Sequence, residues 1–294
     1  MWASTFTANS EHLVSGGDEG VRVWRVDDGR HIATMKAAGV RCLAVSKDNT
    51  WIAAGTDMGE VVVWDAKTYG RVFTEWGSLS LHSIDFSPDA TRFVTASEDG
   101  RVTVWDLSTG QRVHTHHHYE LEPESDGLLA ARYSPQGDRI ATATWESIRV
   151  YDSNDGHVLG DYPVTLSTHH LVWLDDSHLL VVSDEDTIKQ LDASTGSTVL
   201  EWTDPHRRSI SCIVVLPRHG RSTVAYSADG TVALWDSSTR TQHDIIHETR
   251  EILGIDISPD DQSLAIVLSD RKVVIKSLSR IAVSVTFFWT TTHI

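Results

Sequence analysis

One register recurs along this chain and leaves few folds open to it. Trp24, Trp64, Trp105, Tyr151, Leu191, Trp235 and Lys276 follow one another at steps of 40, 41, 46, 40, 44 and 41 residues. The residue after each is aspartate five times (Asp65, Asp106, Asp152, Asp192, Asp236), and Arg25 and Ser277 stand in the first and last copies. Leu81 to Thr115 shows what one period contains. Leu81 to Phe86 alternates and stops at Ser87-Pro88-Asp89, a turn sequence. Phe93 to Ser97 resumes the apolar run, and Glu98-Asp99-Gly100 reverses it as acidic-Gly pairs do in tight hairpins. Val102, Val104 and Trp105 make a third strand. Ser108-Thr109-Gly110 is a second hairpin turn, and Gln111 to Thr115 is polar enough for an exposed edge.

A four-stranded meander with no helix has no partner for its buried face, so it becomes stable only when copies stack. Four strands per period of 40 to 45 residues is the pattern of a propeller. The first strands end alike, in FSPD (86–89), YSPQ (133–136) and ISPD (257–260). With the Trp-Asp pairs at Trp64, Trp105 and Trp235, these endings resemble the WD-repeat family, and the resemblance covers almost the whole chain. The expected fold is all-β, a seven-bladed β-propeller of four-stranded antiparallel blades in a single domain. The blades fall at about 1–36, 40–76, 81–118, 128–165, 169–203, 210–246 and 252–288. Every copy runs from first strand to fourth, so closure is expected to rest on blade-to-blade packing alone, unless the chain is a piece of a longer one.

The net charge of −16 repels phosphate backbones and disfavours nucleic acid as a partner. It keeps a β-rich surface soluble. Cys42 and Cys212 occupy equivalent first-strand places in different copies, which reads as reduced core residues and an intracellular setting, cytoplasmic or nuclear. No secretory leader is evident at Met1 to Ser4. The longest apolar run near the end, Ile281 to Trp289, is too short to span a bilayer.

The resemblance implies a hydrogen-bonded tetrad, and the sixth copy carries its parts in His206, Ser227, Asp229 and Trp235. A partly buried aspartate needs donors, and histidine, serine and an indole N–H supply them. The set looks like a Ser-His-Asp triad, but no nucleophile elbow or oxyanion hole accompanies it, so its reading is structural. The third copy keeps Ser97, Asp99 and Trp105, with Gly77 where the histidine would stand. Outside the repeat lies a His-rich insertion. Alternation along a strand places His114, His116 and His118 on one face, a candidate Zn²⁺ or Ni²⁺ set. The plainer reading is a polar edge strand followed by the acidic residues Glu120, Glu122, Glu124 and Asp126.

No phosphate loop, GxSxG or HExxH motif is present, so catalysis has no motif to rest on, and no cofactor is expected. The family resemblance implies a non-catalytic scaffold that binds other proteins or peptides as a monomeric propeller, with no membrane partner. The alternative is an enzyme or metal-dependent ligand binder using the channel mouth or the His-rich insertion. The expected binding face carries the second-to-third turns and the fourth-to-first connections: Arg41, Asp57, His82, Glu98, Trp145, His170 and Asp184. Trp145 stands out there, since the reading puts it in the place held by Asp99 and Asp229.

Overall fold

A computed structural model describes residues 3–77, 79–118, 128–165, 170–183, 186–204, 210–215, 223–228, 230–236, 241–270, 272–278 and 284–288; of 223–228, 236, 241–245 and 284–288 it describes the backbone alone. The first sheet holds β1 (Ala3–Phe6), β2 (His12–Gly17), β3 (Gly20–Arg25) and β4 (His31–Met35), and the second β5 (Val40–Val45), β6 (Trp51–Thr56), β7 (Glu60–Asp65) and β8 (Arg71–Trp76). The third is β9 (Leu81–Phe86), β10 (Arg92–Ser97), β11 (Arg101–Asp106) and β12 (Arg112–His117). In the fourth are β13 (Ala130–Tyr133), β14 (Arg139–Ala143), β15 (Ser147–Asp152) and β16 (Val158–Pro163). The fifth has β17 (Leu171–Trp173), β18 (His178–Ser183), β19 (Thr187–Asp192) and β20 (Thr198–Thr203). The sixth has β21 (Ile210–Val215), β22 (Thr223–Ala228), β23 (Thr231–Asp236) and β24 (Thr241–His247). The seventh is β25 (Ile252–Ile257), β26 (Ser263–Leu268), β27 (Lys272–Ser277) and β28 (Ser284–Phe288).

Each group of four forms one antiparallel sheet in chain order, so the described residues contain seven such sheets. The first strands pack in the cyclic order β1, β5, β9, β13, β17, β21, β25 and back to β1. They line the axis, while β8, β12, β16 and β20 carry mostly exposed side chains at the rim. Apolar clusters fill the gaps between neighbouring sheets. Cys42, Ala53 and Val63 of the second sheet meet Leu81, Phe93 and Trp105 of the third. Phe6, Leu13 and Trp24 of the first meet Ala265, Val267 and Ile275 of the seventh. This is how a meander that cannot bury its own face becomes stable.

Closure departs from packing alone. The Phe6 N–H donates to Asp256 Oδ2 at 2.8 Å, and Asp260 N–H donates to Ser10 Oγ at 3.2 Å, so hydrogen bonds cross the seam between first and seventh sheets. The bond from Phe6 has a counterpart inside the ring, where Tyr133 N–H donates to Asp85 Oδ2 at 2.8 Å. Asp85 and Asp256 both immediately precede the last residue of a first strand, and each accepts from the next sheet around the ring. Burial pushes both carboxyls up, that of Asp256 to about 6.

Local chemistry accounts for the repeated turns. The aspartate after the register position closes the hairpin to the fourth strand. Asp106 Oδ1 accepts the Thr109 N–H at 2.9 Å, and Asp192 Oδ1 accepts Ser194 and Thr195 N–H, each at 2.9 Å. The glycine that follows, Gly110 or Gly196, has φ near +70°, where a Cβ would be strained. In the Ser-x-Asp turn, Ser87 Oγ donates to Asp89 Oδ1 at 2.6 Å and accepts Arg92 N–H at 2.9 Å; Ser258 does the same with Asp260 and Ser263. Cys42 and Cys212 are buried and free, and burial pushes both thiols up to about 12, which leaves them as inert core residues. No helix among the described residues is long and apolar enough to cross a membrane.

Candidate interaction face

At one end of the ring the second-to-third turns are tied to the connections between sheets. Asp57 N–H donates to Gly39 O and Glu98 N–H to Ser80 O, both at 2.9 Å; Val164 N–H donates to Glu146 O and Asp204 N–H to Asp186 O, both at 2.8 Å. These bonds hold two sets of loops as one surface. Arg41, Asp57, His82 and Glu98 are exposed there, while Trp145 and His170 are half-buried. Asp184 lies outside the described residues. Arg41, His82 and Glu98, from two neighbouring sheets, share one electrostatic environment. Partial burial lowers the pKa of His82, Glu98 opposes that shift and Arg41 adds to it. His170 reaches toward the axis, with Nδ1 3.6 Å from Cys212 Sγ.

Trp145 stands one place away from its expected position. Ala96 pairs with Val102 and Ala143 with Ile148. Five residues, Ser97 to Arg101, therefore turn the third sheet, against four, Thr144 to Ser147, in the fourth. With Thr144 in the place of Ser97, Trp145 takes that of Glu98. The residue in Asp99's place that is apolar and exposed is Met58, of the turn Thr56-Asp57-Met58-Gly59; 73% of its surface is open.

In the first and third sheets the indole of the register tryptophan bonds a different hydroxyl from the one expected of the tetrad. The Trp105 indole N–H donates to Thr95 Oγ1 at 2.9 Å and that of Trp24 to Ser15 Oγ at 2.8 Å. The hydroxyl that matters thus sits two residues before Ser97, which instead bonds Asp99 in its own turn. Ser227 pairs with Val232, a neighbour of the turn, as Ala96 does with Val102. His206 and Asp229 lie outside the described residues. Trp235 is buried and stacks on Trp202 at 3.6 Å between ring centroids.

A histidine in a connection does bond a second-strand hydroxyl, but in the fourth sheet. His118 Nδ1 lies 3.2 Å from Thr142 Oγ1 and Nε2 lies 2.8 Å from Ser147 Oγ. Thr142 stands two pairs from Tyr151, as Thr95 does from Trp105. The ring is 1% exposed, and burial lowers its pKa to about 4, with Arg149 adding to the shift. This separates His118 from the candidate metal set. β12 ends at His117, so alternation stops there; the His118 N–H bonds Gly100 O and the ring turns into the fourth sheet. His114 instead contacts Asn154 O, and His116 stacks on Tyr151 at 5.6 Å. His114 and His116 stay side by side, with ring centroids 5.9 Å apart, while His118 is turned away from them into the fourth sheet. Among the described residues, the side chains with ligand atoms close enough for a metal are Asp152, Asp155 and His157. Their oxygens already accept N–H groups of their own hairpin turn.

Sequence reasoning passed over Trp76 on this same end. It pairs with Glu60, and Gly77 N–H donates to Gly59 O at 2.7 Å, which sets Trp76 and Leu79 beside the Met58 turn. Trp76 is 56% exposed and Leu79 49%. The signal was available. The same position in other copies holds His117, Pro163, Thr203, His247 and, in the seventh sheet, Phe288, paired alike with the first residue of the third strand.

Comparison with known proteins agrees with this architecture. The structure of U3-55K superposes with a TM-score of 0.77 at 17% identity, over 90% of this chain and 87% of that one. The WD40 repeats of RRP9 give 0.78 at 17%, over 90% and 86%. A chain of the mitotic checkpoint complex gives 0.80 at 14%, over 95% and 87%. No curated protein matches in sequence. The family described as nucleolar protein 10-like, N-terminal domain, matches residues 4–190. The chain belongs to that family of β-propellers, within the WD-repeat class.

Proposed function

We propose that this propeller is a non-catalytic protein-interaction platform of the nucleolus, working through the end that carries Arg41, Asp57, His82, Glu98, Trp145 and His170. The observation behind it is the surface itself: turns from one set of strands and connections from another are hydrogen-bonded into one rigid end bearing mixed charge and exposed aromatic and apolar groups. Rigid placement of recognition residues on loops is how scaffolds bind without a catalytic constellation. The name of the family supports a nuclear, nucleolar location over the cytoplasmic one that cysteine usage left open. The mitotic checkpoint complex and the U3-55K and RRP9 structures are relatives in fold, and the first is by name an assembly. The reading is tested by capturing partners from nucleolar extract and titrating one of them against variants. Trp145→Ala combined with Arg41→Glu weakens binding and leaves the melting temperature nearly unchanged. Binding that survives those changes and is lost on substituting Arg218 and Arg221, in the first-to-second connection of the sixth sheet, places the interface at the other end.

A further inference from the structure

We infer that Met58, Trp76 and Leu79 form an anchor site for a basic peptide segment carrying a large apolar side chain. The inference rests on the reading of this end as an interaction face and names the chemistry of one partner. Three observations carry it. The first is contiguity: the Met58 turn lies against the connection from Trp76 to Leu79, through the bond from Gly77 N–H to Gly59 O and the close approach of Leu79 O to Gly59. The second is that the fold does not call for these residues. Trp76 takes a rim position filled by His117, Pro163, Thr203 and His247 in four other sheets and by Phe288 in the seventh, so no one residue type is required there, and Met58 takes a turn position that is Asp99 in the next sheet. A tryptophan and a methionine left more than half exposed cost solubility unless something covers them.

The third is charge. Asp57 precedes Met58, Glu75 precedes Trp76, and Glu98 is bonded through its N–H to Ser80, next to Leu79. All three are exposed, and no ion pair engages any of them among the described residues. An apolar centre with exposed carboxylates close by in the chain, of which Glu98 alone also faces His82 and Arg41, favours a segment in which lysine or arginine flanks leucine, phenylalanine or tryptophan, and repels phosphate backbones. Methionine and tryptophan suit the contact, the first because it repacks around different side chains and the second because it buries a large area at little entropic cost.

The test uses the whole chain and a phage-displayed library of random dodecapeptides, with selected peptides synthesised, labelled and titrated. The expected selection is rich in lysine or arginine beside one large apolar residue. Affinity should fall at least about tenfold on Trp76→Ala and on Met58→Glu, the size of a hot-spot loss. It should also fall as salt is raised. A selection without that composition, or titrations that both substitutions leave unchanged, overturns the inference. Self-association abolished by Met58→Glu, or binding of single-stranded RNA at this patch, assigns another occupant and also overturns it. If peptide binding follows Trp145→Ala and Arg41→Glu while ignoring Trp76→Ala, the anchor site fails and the interaction face stands.

Discussion

Acidification should unfasten the third sheet from the fourth through His118. The ring is 1% exposed and accepts or donates at both nitrogens to Thr142 and Ser147, so it is neutral in the folded protein, with its pKa lowered from 6.5 to about 4. In the unfolded chain the same ring takes up a proton below about pH 6.5, so the unfolded state gains protons first and stability falls as pH drops. The full displacement, at about 1.4 kcal/mol per pH unit, amounts to about 3 kcal/mol, reached below pH 4. At pH 5 about 2 kcal/mol of it is already lost. Other groups titrate in the same window, so the quantity to measure is a difference. Urea unfolding of the wild type and of His118→Phe at pH 8, 6 and 5 gives two stability curves. The phenyl ring leaves Thr142 and Ser147 without their partner and costs stability at pH 8. That cost should shrink by about 2 kcal/mol between pH 8 and pH 5, as the wild type alone pays for keeping a proton off the ring. A difference that does not change with pH would refute the assignment of His118 as a buried neutral group.

Asp256 should act in the opposite sense. Its folded pKa is raised to about 6 against an ordinary 3.8, so the folded state holds the proton longer, and the charged form costs stability above pH 6 that is recovered as pH falls toward 4. Asp256→Asn keeps an oxygen for the Phe6 N–H and has no charge to bury; its stability gain over the wild type should rise from nothing below pH 4 to about 3 kcal/mol above pH 6, and a flat difference in denaturant melts would count against a desolvated carboxylate at the seam. Thr95→Val strands the Trp105 indole N–H and should cost about 1–3 kcal/mol. Thr115→Val, on the exposed outer strand of the same sheet, should stay within about 0.5 kcal/mol, and equal losses at the two sites would remove the role given to Thr95.

The parts of this fold set by period were legible in the residues. Trp64, Trp105 and Trp235 with their aspartates marked the third strands, and the Asp-Gly and Ser-x-Asp turns marked the hairpins, because each depends on local chemistry that a few neighbouring residues spell out. Contacts between sheets were less accessible. Asp85 and Asp256 read as ordinary strand residues, and only the ring brings the N–H groups of Tyr133 and Phe6 to them. Thr95 was overlooked in favour of Ser97 because spacing from the turn was counted in place of pairing across the hairpin. A four-residue turn displaced Trp145 by one place, and the end of β12 at His117 removed His118 from its alternating set. Trp76 shows the reverse case, in which comparing equivalent positions would have singled out a large aromatic residue at a place where His117, Pro163, Thr203 and His247 stand in other sheets.

Because every sheet is one unbroken stretch of chain, the order of synthesis has a consequence for the seam. Among the described residues, the apolar face formed by Phe6, Leu13 and Trp24 is covered from the neighbouring sheet by Ala265, Val267, Val273 and Ile275. Those residues emerge from the ribosome about 250 residues after the face they cover, when six sheets have had time to form. At roughly 5–20 residues per second, the first sheet waits on the order of 13–50 s with one side open. During that interval its exposed surface is a binding site for chaperones or for the equivalent face of a second nascent chain. The seventh sheet is the lid on the first.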